Sequence, residues 1–360
     1  MKLPHLEINL KKIHHNAKSL KQILNLKNIS IIGITKLILG NSTIAKTLVQ
    51  AGINYLGDSR IENIIRMREA GINAQFILIR NPSLNDVPLV VKNADISLNS
   101  ELSTIEKLSE ESIRHKKKHG IILMVEMGDL REGIMPNDLE DIVRQVIKLK
   151  GVELQGIGTN LKCFAGVIPD ENNMNEFSEI VDEIQHKLGI NLKIISGGNS
   201  ANYNWLMSTD NVGLINNLRL GTAILLGLEG IYEDPIPELY TDTFTLVAEI
   251  VELKKKPLSP KGTFSTNAFG EPSIFENKSS LNKKSEFRTQ ALLNIGRQDI
   301  IEKGLIPKDE VEIMSATSDY LIVNLKGNET YKVGNELRFD LNYEALLHAM
   351  TSPFIKKVFV

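Results

Sequence analysis

Between residues 30 and 221 the chain alternates eight short apolar runs with longer amphipathic stretches, and this pattern restricts the fold more than any other feature. The runs lie at 30–35 (SIIGIT), 54–59 (NYLGDS), 75–80 (QFILIR), 95–100 (DISLNS), 121–127 (IILMVEM), 153–160 (ELQGIGTN), 192–197 (LKIISG) and 217–221 (NLRLG). Each has the length of a strand, and most carry β-branched residues. The intervening segments carry apolar residues at helical spacing, as Ile44, Leu48 and Val49 do. Residues 101–119 read as a helix whose basic end, RHKKKH, suits the negative pole of the helix dipole. Strands separated by helices pair in parallel, and eight such units predict a closed (β/α)8 barrel.

The pattern changes near residue 232, where Pro235 and Pro237 punctuate the chain. The later runs at 244–253, 289–295, 311–315, 320–325 and 337–341 read as strands without comparable helices between them. The expected organisation is an α/β barrel over residues 1–232 and an all-β domain over residues 233–360. The polar stretch 276–286 (ENKSSLNKKSE) reads as a surface loop rather than an anion site. A net charge of −2 excludes a general nucleic-acid binder, which shows a basic excess. No apolar run approaches the roughly 18–20 residues needed to span a bilayer. Pro4 and Glu7 stand where a signal peptide needs an apolar stretch. The single cysteine, Cys163, leaves no internal disulfide and no cysteine-cluster metal site. These features predict a cytoplasmic protein without nucleic-acid, membrane or metal partners.

In such a barrel the chemistry sits at the C-terminal ends of the strands. The first strand ends in Thr35-Lys36, where partial burial favours the neutral amine that a Schiff base with an aldehyde requires. The ordinary alternative is a lysine that snorkels to solvent. The seventh ends in Ser196-Gly197-Gly198-Asn199-Ser200, which reads as a phosphate cradle or as a tight turn with a helix cap. The eighth ends in Arg219-Leu220-Gly221, with Arg219 and Gly221 on one side of the strand. Arg131 lies on the loop 128–133 (GDLREG) after the fifth. Each arginine alone reads as a surface ion pair. A lysine, a phosphate cradle and two arginines around one mouth together match pyridoxal 5′-phosphate (PLP).

The ordered motifs GITK, EMGDLREGI, GIGTNLKCFAGVIPD, SGGNS, NNLRLGTAILLG, NIGRQD, SATSDYLIVNL and DLNYEALLHAMTSP span essentially the whole chain. In them the chain resembles the fold-type III PLP enzymes related to alanine racemase, and most closely the ornithine racemase branch. The resemblance implies that Lys36 holds PLP as an internal aldimine. It places Asn199 and Ser200 at the phosphate, in the same cradle as Ser196 and Gly198. It places Arg219 at the pyridine nitrogen, and Gly221 and Tyr343 at the phosphate. It sets Arg131 near the phenolic oxygen and the substrate carboxylate. Ser318 and Asp319 match a loop that reaches the partner subunit's active site in a head-to-tail homodimer.

The sequence also departs from the family pattern. Arg297, in Ile295-Gly296-Arg297-Gln298-Asp299, stands where alanine racemases carry a catalytic tyrosine, and arginine is no base near neutral pH. Asn160 replaces a histidine, Met124 stands where many members have lysine, and Lys36-Leu37-Ile38-Leu39-Gly40 lacks the usual tyrosine. Two-base racemisation needs proton carriers on both faces of the α-carbon. Lys36 serves one face, and Cys163 is the candidate for the other; its ordinary alternative is a buried small hydrophobe. Asn160 stands as a substrate contact, and Asp299 and Asp319 as acceptors for a distal ammonium or as structural acceptors. The expected function is racemisation of ornithine. The alternatives are a racemase of alanine, lysine or serine, a non-catalytic PLP carrier, and a metal-dependent PLP aldolase or dehydratase.

Overall fold

The computed structural model describes residues 4–272, 275 and 287–360; the stretch 276–286 lies outside the described residues. The chain forms two compact units, one from Leu10 to Thr243 and one joining Phe244–Val360 to the N-terminal stretch ending at Asn9. The composition shift predicts a boundary after residue 232 and gives the whole N-terminus to the barrel. The observed division falls at Thr243, and β1 (His5–Ile8) belongs to the second unit.

In the first unit, eight parallel strands close a barrel. They are β2 (Ser30–Ile34), β3 (Tyr55–Asp58), β4 (Gln75–Leu78), β5 (Ile96–Asn99), β6 (His119–Val125), β7 (Val152–Thr159), β8 (Ile194–Ser196) and β9 (Asn217–Leu220). All eight coincide with the runs expected from sequence. Closure comes from β2 against β9, where Ser30 pairs with Asn217 and Ile32 with Arg219. The interior is filled by Ile32, Ile34, Ile77, Ile96, Leu98, Ile122, Met124 and Ile194. Alternation along β8 and β9 then turns Ser196, Asn217 and Arg219 to that same interior. At Gly156 a Cβ would lie 2.2 Å from the Ile194 carbonyl oxygen, so only glycine allows β7 and β8 to approach there.

Amphipathic helices cover the barrel. The longest, α7 (Glu171–Leu188), opens on a capping box between Asp170 and Asn173 and closes on Gly189 at φ 61°. The helix expected over 101–119 is shorter: α5 (Leu102–Arg114) ends at His115, and His119 starts β6. All seven residues of β6 are buried, so the strand takes His119 inward and leaves the lysines before it on a turn.

The second unit is a mixed sheet in the order β12 (Leu305–Pro307), β15 (Glu336–Leu341), β10 (Phe244–Pro257), β11 (Phe287–Leu293), β14 (Leu321–Asn324), β13 (Glu312–Ala316). β1 pairs antiparallel with β10 and parallel with β16 (Lys356–Phe359). The sequence predicts β10, β11, β13, β14 and β15. It does not announce β1, β12 and β16, which have four residues or fewer. Nor does it announce α10 (Tyr343–Thr351), a helix within a region expected to be all-β and capped by Asn342, whose Oδ1 accepts from Ala345 N at 2.9 Å.

His119 gives the barrel a pH dependence. It is buried, its Nε2 lies 2.8 Å from Ser97 Oγ, and desolvation, helped by the charge of Lys117, holds its pKa down at about 3. The unfolded chain binds this proton near the ordinary histidine value of about 6.5 and the native state does not. Stability therefore falls as pH drops from about 6.5 toward 3, by up to about 1.4 kcal/mol per pH unit from this group. In urea unfolding at stepped pH, His119→Gln is expected to flatten that slope; an unchanged slope would contradict the assignment.

Candidate active site

Arg219 sits in the barrel mouth, 5% exposed. Its Nη1 donates to Ser196 Oγ (2.7 Å), and its Nη2 donates to the Thr159 carbonyl (2.8 Å) and to Asn160 Oδ1 (3.1 Å). All three acceptors are neutral. Burial brings its pKa down to about 10, with Glu132 and Cys163 opposing and Arg131 adding, so it stays charged at neutral pH. Ser196, placed by sequence in the phosphate cradle, is fully buried and donates to Asn217 Oδ1 at 2.9 Å. Its hydroxyl thus orients Arg219 from within the barrel.

The loop after β8 holds the rest of the cradle. Gly198 has φ 142°, and a Cβ there would lie 2.2 Å from Asn202 Oδ1, which accepts from Asn199 N at 3.0 Å. Asn199 Nδ2 faces the Leu161 carbonyl (2.9 Å), Asn160 Oδ1 (3.1 Å) and Cys163 Sγ (3.7 Å). Ser200 Oγ accepts from Ala223 N at 3.2 Å, just past Gly221, whose Cα side packs on Ile34 of β2. The structure therefore brings Asn160, Cys163, Ser196, Asn199 and Arg219 into one connected set. Asn160 Nδ2 is buried there without a hydrogen-bond partner. A site that offers a buried cation, a spare amide donor and a glycine-lined loop fits an anionic aromatic ligand such as PLP.

Lys36 opens the turn after β2. Leu39 and Gly40 are both left-handed, at φ 53° and 60°. This turn is clamped from β3 and α3 (Ile61–Glu69). Thr35 Oγ1 donates to Asp58 Oδ2 at 2.7 Å, while Arg60 N and Asn63 Nδ2 donate to Asp58 Oδ1 at 2.9 and 3.0 Å. Arg66 Nη1 donates to the Leu39 carbonyl. Asp58 is fully buried, and desolvation raises its pKa against the pull of those hydrogen bonds. In the sequence the only trace of this role is an acid that ends an apolar run.

The loops after β6 and β7 are joined by Asp129, another residue with no sequence signature. Its carboxylate accepts from Cys163 N and Phe164 N, each at 2.9 Å, and from Gly166 N at 3.2 Å. Cys163 is exposed, not the buried hydrophobe of the ordinary reading. Arg131 is bound in two-point contact by its neighbour Glu132, Nη2 to Oε1 at 2.5 Å and Nε to Oε2. Met124 is packed in the barrel core.

The remaining candidates lie in the second unit. Ser318 and Asp319 occupy the turn between β13 and β14, where Asp319 Oδ1 accepts from Gln298 Nε2 at 3.4 Å. Tyr343 is the first residue of α10. Asp299 is buried and accepts from Ser352 Oγ at 2.5 Å, a structural acceptor. Arg297 pairs with Glu302 (2.6 Å) and Glu271 (2.8 Å) and lies over the Phe269 ring. Its place is therefore filled by an ion pair rather than by a proton carrier.

Asp58→Ala is expected to leave Asn63 and the Arg60 amide without this acceptor, and Thr35 with only the Gly57 carbonyl, and to cost about 2 kcal/mol of stability by urea unfolding. No measurable loss would show that the clamp carries no weight.

The family model described as "Alanine racemase, N-terminal domain" matches residues 8–228. The chain is similar to a lysine racemase of Thermotoga maritima, with 37% identity over 360 residues, covering 100% of this chain and 99% of the relative. It is equally similar to an ornithine racemase of Acetoanaerobium sticklandii, with 37% identity over 357 residues, covering 98% and 99%. Its fold is shared with an alanine racemase of Clostridium difficile, at TM-score 0.76 and 20% identity over 100% of this chain and 96% of that one. It is also shared with an alanine racemase of Bartonella henselae solved with covalently bound pyridoxal phosphate, at TM-score 0.76 and 16% identity over the whole of both chains. With most of its length under the family model and two full-length relatives above 30% identity, the chain belongs to the alanine racemase family of PLP-dependent amino-acid racemases.

Proposed function

We propose that the protein interconverts L- and D-ornithine, with lysine as the second substrate on equal similarity to a lysine racemase. The observation that carries the choice is that both full-length relatives are named for basic amino acids. PLP, when bound, supplies an electron-withdrawing system that makes the α-hydrogen of an amino acid acidic. Lys36 would hold its aldehyde. Gly198, Asn199, Ser200, Gly221 and Tyr343 would hold its phosphate, and Arg219 would face its ring nitrogen. Because Arg219 keeps its proton at neutral pH, it would donate a hydrogen bond there without transferring the proton.

Lys36 would move the proton at one face of the α-carbon. Cys163 would move it at the other, from an exposed position beside Asn199. Arg131 binds the substrate carboxylate, and Asn160 offers its spare amide donor to the substrate. Ser318 and Asp319 complete the site from the partner subunit of a head-to-tail homodimer. No helix among the described residues is long and apolar enough to cross a membrane, in keeping with a cytoplasmic enzyme.

Incubating the protein with PLP and L-ornithine, L-lysine, L-alanine or L-serine, and resolving the enantiomers by chiral chromatography, is expected to show fastest racemisation of ornithine. Fastest turnover of alanine or serine would refute the substrate reading. Cys163→Ala and Cys163→Ser are each expected to lower kcat for ornithine by about 100-fold or more. If both keep near wild-type rates, the second proton carrier lies elsewhere.

A further inference from the structure

We infer that Glu132 selects the basic side chain, releasing Arg131 to the substrate carboxylate and taking the substrate's distal ammonium in its place. This inference rests on the reading of the protein as a racemase of ornithine or lysine. The geometry that supports it is the two-point contact between neighbouring side chains, Arg131 Nη2 to Glu132 Oε1 at 2.5 Å together with Arg131 Nε to Oε2. The side chains are 39% and 22% exposed, so the pair is partly desolvated yet open to a ligand.

The loop that carries the pair is fixed at both ends. Ile134 N donates to the Met124 carbonyl at 2.7 Å and Glu126 N to the Ile134 carbonyl at 3.0 Å. Inside the loop, Glu126 Oε1 accepts from Leu130 N at 3.0 Å and Asp129 is tied to the backbone of residues 163–166. The pair thus stands on a rigid base at the C-terminal end of β6. Of the charges around Arg219 in the barrel mouth, Glu132 is the one that favours its cationic form most.

The other carboxylates at the ends of β3, β6 and β7 already serve fixed donors. Asp58 holds Thr35, Glu126 and Asp129 hold backbone N–H groups, and Asp170 caps α7. Glu132 alone among them is matched to a cation that the substrate carboxylate itself would draw away. An amino acid with a neutral side chain that binds Arg131 leaves Glu132 partly buried without a cation, and that penalty works against it. Ornithine or lysine brings both charges and replaces one ion pair by two. The selectivity therefore comes from the unpaired acid that wrong substrates leave behind as much as from the new contact.

The test compares wild-type holoenzyme with Glu132→Gln and Glu132→Asp. L-Ornithine is measured against L-norleucine, in which a methyl group replaces the distal ammonium. The ornithine-to-norleucine ratio of kcat/KM is expected to fall about tenfold or more in Glu132→Gln, with Glu132→Asp between it and wild type. Calorimetric binding of 5-aminopentanoate, which has the carboxylate and distal ammonium but no α-amino group, is expected to weaken by a similar factor while pentanoate does not weaken. A ratio that stays constant, or a loss of affinity shared by pentanoate, would overturn the inference. If wild-type enzyme racemises no basic amino acid, the proposed function fails instead, and the two failures are told apart by that control.

Discussion

Arg219 is a permanent cation inside a closed barrel, held by one hydroxyl, one backbone carbonyl and one amide oxygen. Burying a guanidinium with only neutral partners is unfavourable, and stripping any of those acceptors would leave the charge worse served. The neighbouring residues follow from that constraint. Ser196 accepts from Arg219 because Asn217 takes its proton, and Asn217 in turn donates to Ser30 Oγ at 3.0 Å. Asn160 accepts from both Arg219 and Asn199, which ties the strand-end cation to the cradle loop. A histidine at position 160 could supply only one acceptor nitrogen to this arrangement, whereas the amide oxygen supplies two lone pairs and leaves its NH2 group over.

The barrel was legible in the sequence because its strands are short, largely buried runs separated by amphipathic helices, as parallel strands are. Lys36 and Arg219 were legible because they end such runs, where charge is out of place. Asp58 and Asp129 were not, although both are buried acids that shape the site. Their partners are backbone amides, a threonine and an asparagine brought near by folding, and no spacing along the chain records such contacts. Ser196 was read by its neighbours in a glycine-rich loop, but its own position is the last residue of a strand, and alternation turns it inward to Arg219. The helix end after Arg114 was obscured by its basic run: lysines suit a helix terminus and a solvent turn equally well.

Arg297 shows how a family position can be rebuilt. Two carboxylates and the Phe269 ring surround its guanidinium, so the residue knits the second unit together by charge. A group held in this way is neither free to rotate nor able to release a proton near neutral pH. The Cys163 thiol, by contrast, is exposed, beside Asn199 and on backbone held by Asp129.

The pairing of His5 with Lys356 and Val247 has a consequence for biosynthesis. Strand β1 is made before the barrel and its partners β10 and β16 after it, so the barrel between them is free to fold first. During that interval β1 is an exposed edge, open to chaperones or to a neighbouring nascent chain. The barrel is in effect an insertion within a β-domain. Blocking the edge of β1 would therefore disturb β10 and β16, which follow the barrel in the chain, rather than the strands that carry the site.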